Sequence, residues 1–456
     1  MFSISEIKSL TKAVVLQGTL KGRFKRITIN SKEVCPGDLF IAIKGGRFDG
    51  HRFISEAIKK GAVACLVSSK GVKAPKRAVL FYVPDTEKAL GFIARGYRQR
   101  FDIPVIAITG SAGKTTTKDM VASVLSARYS VLSNLGSQNN QIGVPLTLLK
   151  LTKKIDVAVI EMGTNQPGDI KWLTSIALPD MSILTNIGAS HLAKLKSKPA
   201  VFREKLNLVK GLAAKGTVIF NRDDPFLVKI PLLVKGRSFI SYGVKSRAKF
   251  QARHIILQAN RSLQFSVDNK KYVLSSPVQA NVYNALSAII CGRLFSISFN
   301  NIYKKIKKAS IPKGRQQIKK VGRIWLIDDT YNANPVSFRS ALNTLSDFKA
   351  CGRRILVCSD MKELGASSHL WHKTIGRDIG KSNIDYVLAW GKAAKHIVSA
   401  ARPKKDKGQV YHFEKRFELH KKVRSLCRDH DVILVKGSHS MQMGKTVDFI
   451  LKHFKK

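Results

Sequence analysis

Short, continuous apolar runs end in glycine or polar residues and are followed by apolar positions at helical spacing, and this rhythm recurs along the chain. Residues 103–108 predict a strand buried on both faces, 109–113 a glycine turn and 114–125 a helix. The pattern predicts further strands at 34–43, 156–163, 181–188, 217–221, 323–328, 354–359, 385–390 and 431–436. Helices are expected at about 53–60, 201–210 and 278–294. Residues 131–145 read as a long polar loop, and 236–276 as short alternating strands with an Asp268-Asn269 turn, an antiparallel insertion. Strands alternating with helices mean an α/β protein. The pattern restarts at Lys313-Gly314-Arg315, which divides the chain into a small N-terminal α/β domain (1–100), a central domain (101–313) and a C-terminal domain (314–456).

Composition agrees with that division. A chain of 456 residues with 44% hydrophobic content can support cores in roughly three domains of ~150 residues. The six cysteines show no C-x-x-C pairing, so free thiols in a reducing cytoplasm are expected. The N-terminus lacks a basic segment leading into an apolar one, and no apolar run approaches the ~18 residues of a membrane span. A soluble, unexported chain without membrane insertion follows. Charge changes the picture more: 80 Lys and Arg against 30 Asp and Glu give +50, a field that attracts polyanions. The basic residues are spread over the whole chain, without an arginine-rich arm or an aromatic-interleaved platform, so no nucleic-acid partner is expected. Anionic small substrates gain from the same field.

The chemistry concentrates at strand ends. In the turn after the first central strand, Gly110 and Gly113 let the backbone curl around a phosphate with Ser111 and Ala112 between them. Lys114 can reach the β/γ-phosphates, and the hydroxyl of Thr115, followed by Thr116, can hold Mg²⁺. The spacing departs from G-x-x-x-x-G-K-[ST], because residue 107 is alanine. A nucleotide site is still the reading, since strand, turn and helix fall where phosphate binding needs them. Asn139 and Asn140 lie in the amide-rich loop, where side chains orient polar ligands. Glu161, near a strand's C-terminal end, is a metal-ligand candidate, as is His191. Lys205, taken alone, reads as a surface lysine. Ser31, Lys44, Asp49, Gly50 and His51 form a polar cluster suited to a sugar nucleotide.

Taken in order, TGSAGKTT (109–116), NNQIGVPLT (139–147), EMGTN (161–165), NIGASHL (186–192), NRDDP (221–225), DDTYNANP (328–335), DMKELG (360–365) and VKGSHSM (435–441) resemble the Mur ligase family over nearly the entire chain. The resemblance implies a central P-loop-type parallel sheet with helices on both faces and a Rossmann-like C-terminal domain that takes an incoming dipeptide. The N-terminal domain would hold a UDP-sugar through Ser31, Lys44 and residues 49–51. The implied reaction is ATP-dependent ligation of D-alanyl-D-alanine to a UDP-N-acetylmuramoyl-tripeptide through an acyl phosphate, by a monomeric enzyme. By the same resemblance Lys114, Glu161, His191 and Lys205 are catalytic, with Thr115, Glu161, His191 and a CO₂-derived carbamate on Lys205 as Mg²⁺ ligands. Asn284, Arg315, Asp329, Asn332 and Asn334 would surround the nucleotide or its hinge. The amino-acid-adding branch of the family would carry DNPR, which is absent; folylpolyglutamate synthase lacks the module at 30–51. A basic nucleic-acid-binding protein with a vestigial ATPase core is the alternative from another class. The chain departs from the family at Asn30 and Lys32 around Ser31, at Ala280, at Ser359 and over 193–198.

Overall fold

The computed structural model describes residues 2–46, 48–75, 78–349, 351–405 and 409–455. Three α/β sheets follow one another along the chain. The N-terminal sheet runs, in spatial order, Val14–Gln17, Val79–Tyr82, Ala64–Val67, Leu39–Ile41, Ile27–Thr28; only the first strand is antiparallel to its neighbour. The central sheet is wholly parallel, in the order Phe250–Gln251, Ser238–Gly243, Thr217–Asn221, Met181–Leu184, Val105–Thr109, Val157–Glu161, Val131–Ser133. Val105–Thr109 and Val157–Glu161 are buried along their whole length, as a sheet covered by helices on both faces requires. The C-terminal sheet is parallel apart from the hairpin of Gln317–Val321 with Ile324–Asp329. Beyond Ile324–Asp329 it continues as Val432–Lys436, Arg354–Ser359, Tyr386–Trp390 and Val410–Phe413.

The apolar cores cross from one sheet unit to the next. Phe81 and Ile93 pack in one cluster with Val105, Val144 and Ile160, and Leu184 and Phe202 share another with Phe338, Leu345 and Met361. Fully burying each such side chain is worth about 1.5–3 kcal/mol, so these shared clusters tie the three units together. They leave open the C-terminal ends of the central strands, where Thr109, Glu161 and Leu184 lie, facing the corresponding ends of the C-terminal sheet at Asp329 and Lys436.

Two expectations differ from the structure. Of 236–276, only Arg253–Leu257, Leu263–Val267 and Lys270–Leu274 form an antiparallel sheet. The preceding Ser238–Gly243 extends the parallel sheet because Ile240 and Tyr242 are needed to cover the face above Ile219. The supposed long loop at 131–145 begins as a strand and ends in the short helix Gly143–Leu148, held by the Asn140 side chain, which accepts from the Gly143 N–H at 2.8 Å. Strands Val14–Gln17, Ala64–Val67, Val79–Tyr82 and Val410–Phe413 are among those additional to the predicted ones; each has four residues, too few for hydrophobic periodicity to carry much signal.

Candidate nucleotide and metal site

A cleft of about 550 Å³ lies between the central and C-terminal units, lined from both sides. Its floor is the turn of 110–113 leading into the helix Lys114–Leu125. Gly113 has φ +81°, and a Cβ there would come within 2.9 Å of Asn284 Oδ1; at Gly110 it would overlap the Thr185 hydroxyl. Both glycines are required by close approach as well as by backbone conformation. The turn is pinned from below: the Thr185 hydroxyl donates to Ala112 O at 2.6 Å, the Ala112 N–H to Asn186 Oδ1 at 2.9 Å, and the Ser111 N–H to Asn186 O at 3.0 Å. Ser111 Oγ sits between Gly188 and Ser190, accepting from the Gly188 N–H at 2.9 Å. Pre-ordered backbone donors at a helix N-terminus form an anion cradle that needs little reorganisation.

The charged groups around this cradle are unevenly satisfied. Lys114 Nζ donates to Gly110 O at 3.0 Å; burial pulls its pKa down, against the opposing pull of Glu161. Glu161 is 1% exposed, and while its Oε1 accepts from Asn139 Nδ2 at 2.6 Å, its Oε2 is buried without a hydrogen-bond partner among the described residues. Leaving a carboxylate oxygen so costs ~1–3 kcal/mol or more, which a bound cation would recover. Thr115 accepts through its hydroxyl from Arg315 Nη2 at 2.7 Å, and Arg315 lies 3.9 Å from the ring centre of Tyr331. Thr116 is buried beside it. His191, at a left-handed φ of +53°, turns its Nδ1 to Glu363 at 2.7 Å. Lys205, on the helix Lys198–Lys210, is 1% exposed, which corrects the surface reading. Burial first, and then the Lys114 charge, push its pKa well below the ordinary lysine value. Among the described residues no three His, Cys, Asp or Glu side chains converge into a metal cage of their own. The unpartnered carboxylate oxygen of Glu161 is of the donor type that suits a hard cation.

The C-terminal unit closes the cleft. Asn334 caps the helix Pro335–Ser346 with its Oδ1 and reaches across with Nδ2 to Ser111 O at 3.1 Å. Asp329 is 6% exposed and meets Lys436 Nζ at 2.6 Å; burial pushes its pKa up while Lys436 pulls it back. Lys436 also donates to Asn332 O at 3.1 Å, and Asn332 itself is exposed at the rim. On the central side Asn284 accepts from Thr117 and donates to Asn281. Asn140 lies at the rim, and Asn139 faces in.

The N-terminal residues lie elsewhere and do not line this cleft. Ser31 is buried and donates to Glu56 Oε2 at 3.1 Å. His51 Nδ1 donates to Asp49 Oδ1 at 2.6 Å, and its Nε2 accepts from the Ser68 N–H at 2.9 Å, which specifies the neutral Nδ1–H tautomer. A Cβ at Gly50 would come within 2.8 Å of the Ile43 backbone. Lys44 is exposed. Sequence reasoning did not single out Thr185, Lys436, Glu363 or Asp223. Asp223 accepts from the N–H groups of Val244, Lys245 and Ser246 and from the Tyr283 hydroxyl, so its pKa lies below the ordinary value despite burial. The motifs containing Asp223, Glu363 and Lys436 are visible in the sequence, but the partners of all four residues lie far away along it.

Three family models match the chain in order: the Mur ligase family catalytic domain over 23–98, the Mur ligase middle domain over 108–292, and the Mur ligase glutamate ligase domain over 314–439. The UDP-N-acetylmuramoyl-tripeptide–D-alanyl-D-alanine ligase of Bacillus subtilis is 32% identical over 429 residues, covering 93% of both chains. The relative of the same name from Buchnera aphidicola subsp. Baizongia pistaciae is 35% identical over 438 residues, covering 94% of this chain and 93% of its own. Among solved structures, MurF from Acinetobacter baumannii superposes with a TM-score of 0.90 at 28% identity, covering 99% of each chain. MurF ligase from Thermotoga maritima in complex with ADP gives 0.84 at 27% identity, over 94% of this chain and 98% of that one. Alike to these relatives from end to end, and carrying the three family regions in order, the chain belongs to the Mur ligase family.

Proposed function

We infer that this chain ligates D-alanyl-D-alanine to UDP-N-acetylmuramoyl-tripeptide at the expense of ATP, the activity named for its relatives from Bacillus subtilis and Buchnera aphidicola. The observation that carries the chemistry is the buried, unpartnered Oε2 of Glu161 beside the phosphate turn. In the first step the tripeptide carboxylate oxygen bonds to the γ-phosphorus and ADP leaves; in the second the dipeptide amine attacks the acyl carbon, phosphate leaves and the amine loses a proton. Two anions must meet in the first step, so the enzyme's task is to neutralise and orient. Lys114 and the N–H groups of residues 113–116 cradle the β/γ-phosphates in this reading, and Arg315 bridges the phosphate-loop helix to Tyr331 across the cleft. Asn284, Asp329, Asn332 and Asn334 surround the nucleotide, with Asn334 tying the C-terminal unit to Ser111.

Thr115, Glu161, His191 and a carbamate on Lys205 would hold Mg²⁺, which when bound neutralises phosphate charge and polarises the γ-phosphoryl group. Burial supports the carbamate: desolvation, and then the Lys114 charge, lower the Lys205 pKa and so favour the neutral amine, the form whose Nζ bonds to CO₂ with release of one proton. The product is a carboxylate-like ligand that suits a hard cation. Ser31, Lys44, Asp49, Gly50 and His51 would meet the UDP-sugar, with Asn139 and Asn140 nearer the peptide. A cytoplasmic monomer is the accompanying expectation, and among the described residues no helix is long and apolar enough to cross a membrane.

The test is ADP release by the purified chain with Mg-ATP and UDP-N-acetylmuramoyl-tripeptide, with and without D-alanyl-D-alanine, and product mass read in parallel. Dipeptide-dependent ADP and a pentapeptide product are expected. Turnover only with the sugar dipeptide and a diamino acid would move the chain to the amino-acid-adding branch, and silence with every acceptor would overturn the ligase reading.

A further inference from the structure

Lys118 is 1% exposed, one turn beyond Lys114 on the phosphate-loop helix, and does not line the cleft. A buried ammonium needs acceptors, and this one draws them from a single loop: Nζ donates to Asn134 O at 2.5 Å and to Gly136 O at 3.2 Å, with Asp119 Oδ1 at 2.9 Å as counter-charge. The same loop carries the grip on Glu161. Asn134 clamps the backbone of residue 161 from both sides, its Oδ1 accepting from the Glu161 N–H at 2.7 Å and its Nδ2 donating to Glu161 O at 3.2 Å. That Nδ2 also donates to Gln138 O at 2.8 Å, and the neighbouring Asn139 holds the Glu161 carboxylate. A chain of polar contacts therefore runs from the phosphate-loop helix, through Lys118 and the 134–139 loop, to Glu161, whose Oε2 is buried without a hydrogen-bond partner among the described residues.

We propose that Lys118 is a positioning residue that sets the enzyme's affinity for its divalent cation without touching cation, nucleotide or substrate. Its ammonium fixes the 134–139 loop, the loop fixes the Glu161 carboxylate, and because Thr115 rides on the same helix as Lys118, hydroxyl and carboxylate are held in one frame. Outer groups of this kind characteristically alter metal affinity tenfold to a hundredfold. Lys118→Met removes the donor at similar length. The inference rests on the nucleotide-site reading above, so the experiment is chosen to separate the two.

Mn²⁺ binding to the full chain in the presence of saturating ADP, read by electron paramagnetic resonance, is compared between the native chain, Lys118→Met, Asn139→Ala and the double variant. A rise of at least about tenfold in the Mn²⁺ dissociation constant is expected for Lys118→Met, with ADP affinity in the absence of metal changed by less than about twofold. The double variant should bind no more weakly than the worse single one, since both act on the same carboxylate. Unchanged Mn²⁺ affinity in a folded Lys118→Met chain, or fully additive losses in the double variant, would overturn the inference while leaving the nucleotide site intact. No Mn²⁺–ADP binding by the native chain would overturn both. If Lys118→Met does not fold, Lys118→Arg, which keeps the cation but displaces its donors, is measured instead; a weakened Mn²⁺ site is expected and native affinity refutes the role.

Discussion

The cleft and the N-terminal polar loop are both clusters of polar side chains near strand ends, yet they differ in what their groups lack. Around the phosphate turn, a Glu161 oxygen is buried without a partner among the described residues and Lys205 is buried against the charge of Lys114. In the N-terminal loop the members find one another: Ser31 donates to Glu56, and Asp49, His51 and the Ser68 N–H form a closed series. Unpaired buried polarity raises the free energy of the empty fold and is tolerated where a ligand supplies the missing partner. Satisfied polarity maintains the loop itself. The contrast separates polarity that lacks a partner in the fold from polarity that the fold itself satisfies.

The strongest way to break that contrast is Lys205→Ala. A fall in the rate of ADP release of about 10³-fold, corresponding to ~4 kcal/mol, is expected with the fold retained. Formate or acetate should restore part of the rate by supplying a carboxylate oxygen. The native pKa of Lys205 is depressed, so the folded chain disfavours its proton and loses stability at pH values below the unfolded pKa; removing the amine lifts that penalty. A chain that melted at lower temperature and took no benefit from carboxylate would make Lys205 structural. A smaller effect sharpens the other side. His51→Ala should cost ~1–2 kcal/mol in denaturant unfolding, because Asp49 and the Ser68 N–H both lose a partner. Lys44→Ala, at an exposed position, should instead raise KM for the sugar nucleotide by about tenfold and leave unfolding unchanged.

An effect of similar size that depends on pH concerns Asp223, which lines the cleft but accepts from three backbone N–H groups and the Tyr283 hydroxyl. Its pKa is held below the ordinary carboxylate value by those donors despite burial, so it adds stability that is complete above the unfolded pKa and is lost as pH falls through the lower folded value. Asp223→Asn should therefore be less stable than the native chain by about 1–2 kcal/mol at neutral pH, and the two should converge in strong acid. A difference independent of pH would assign the loss to packing.

Much of this molecule was legible locally. Val105–Thr109, the glycine turn and Lys114–Leu125 follow from apolar periodicity and from the demand of close backbone approach, both of which act over a few residues. The Asp268-Asn269 hairpin follows from turn chemistry, with both residues at positive φ. Lys205 shows the limit: a single lysine on a helix carries no local mark of burial, and its reading as a functional group came only from resemblance to a family. Its environment is made by Lys114 and Glu204, and only one of those is its neighbour in sequence.

The amino-acid sequence by itself determined the α/β class, the three-part order, the phosphate turn and the candidate residues at strand ends, because hydrophobic period and glycine conformation are properties of short segments. Tertiary structure alone decided that Glu161 keeps one oxygen unpartnered, that Lys205 is buried, that Asn334 reaches Ser111 across the cleft, and that Lys118 grips the loop beneath Glu161. Those properties depend on desolvation and on pairs separated by up to 223 residues, and neither is encoded in any one stretch of chain.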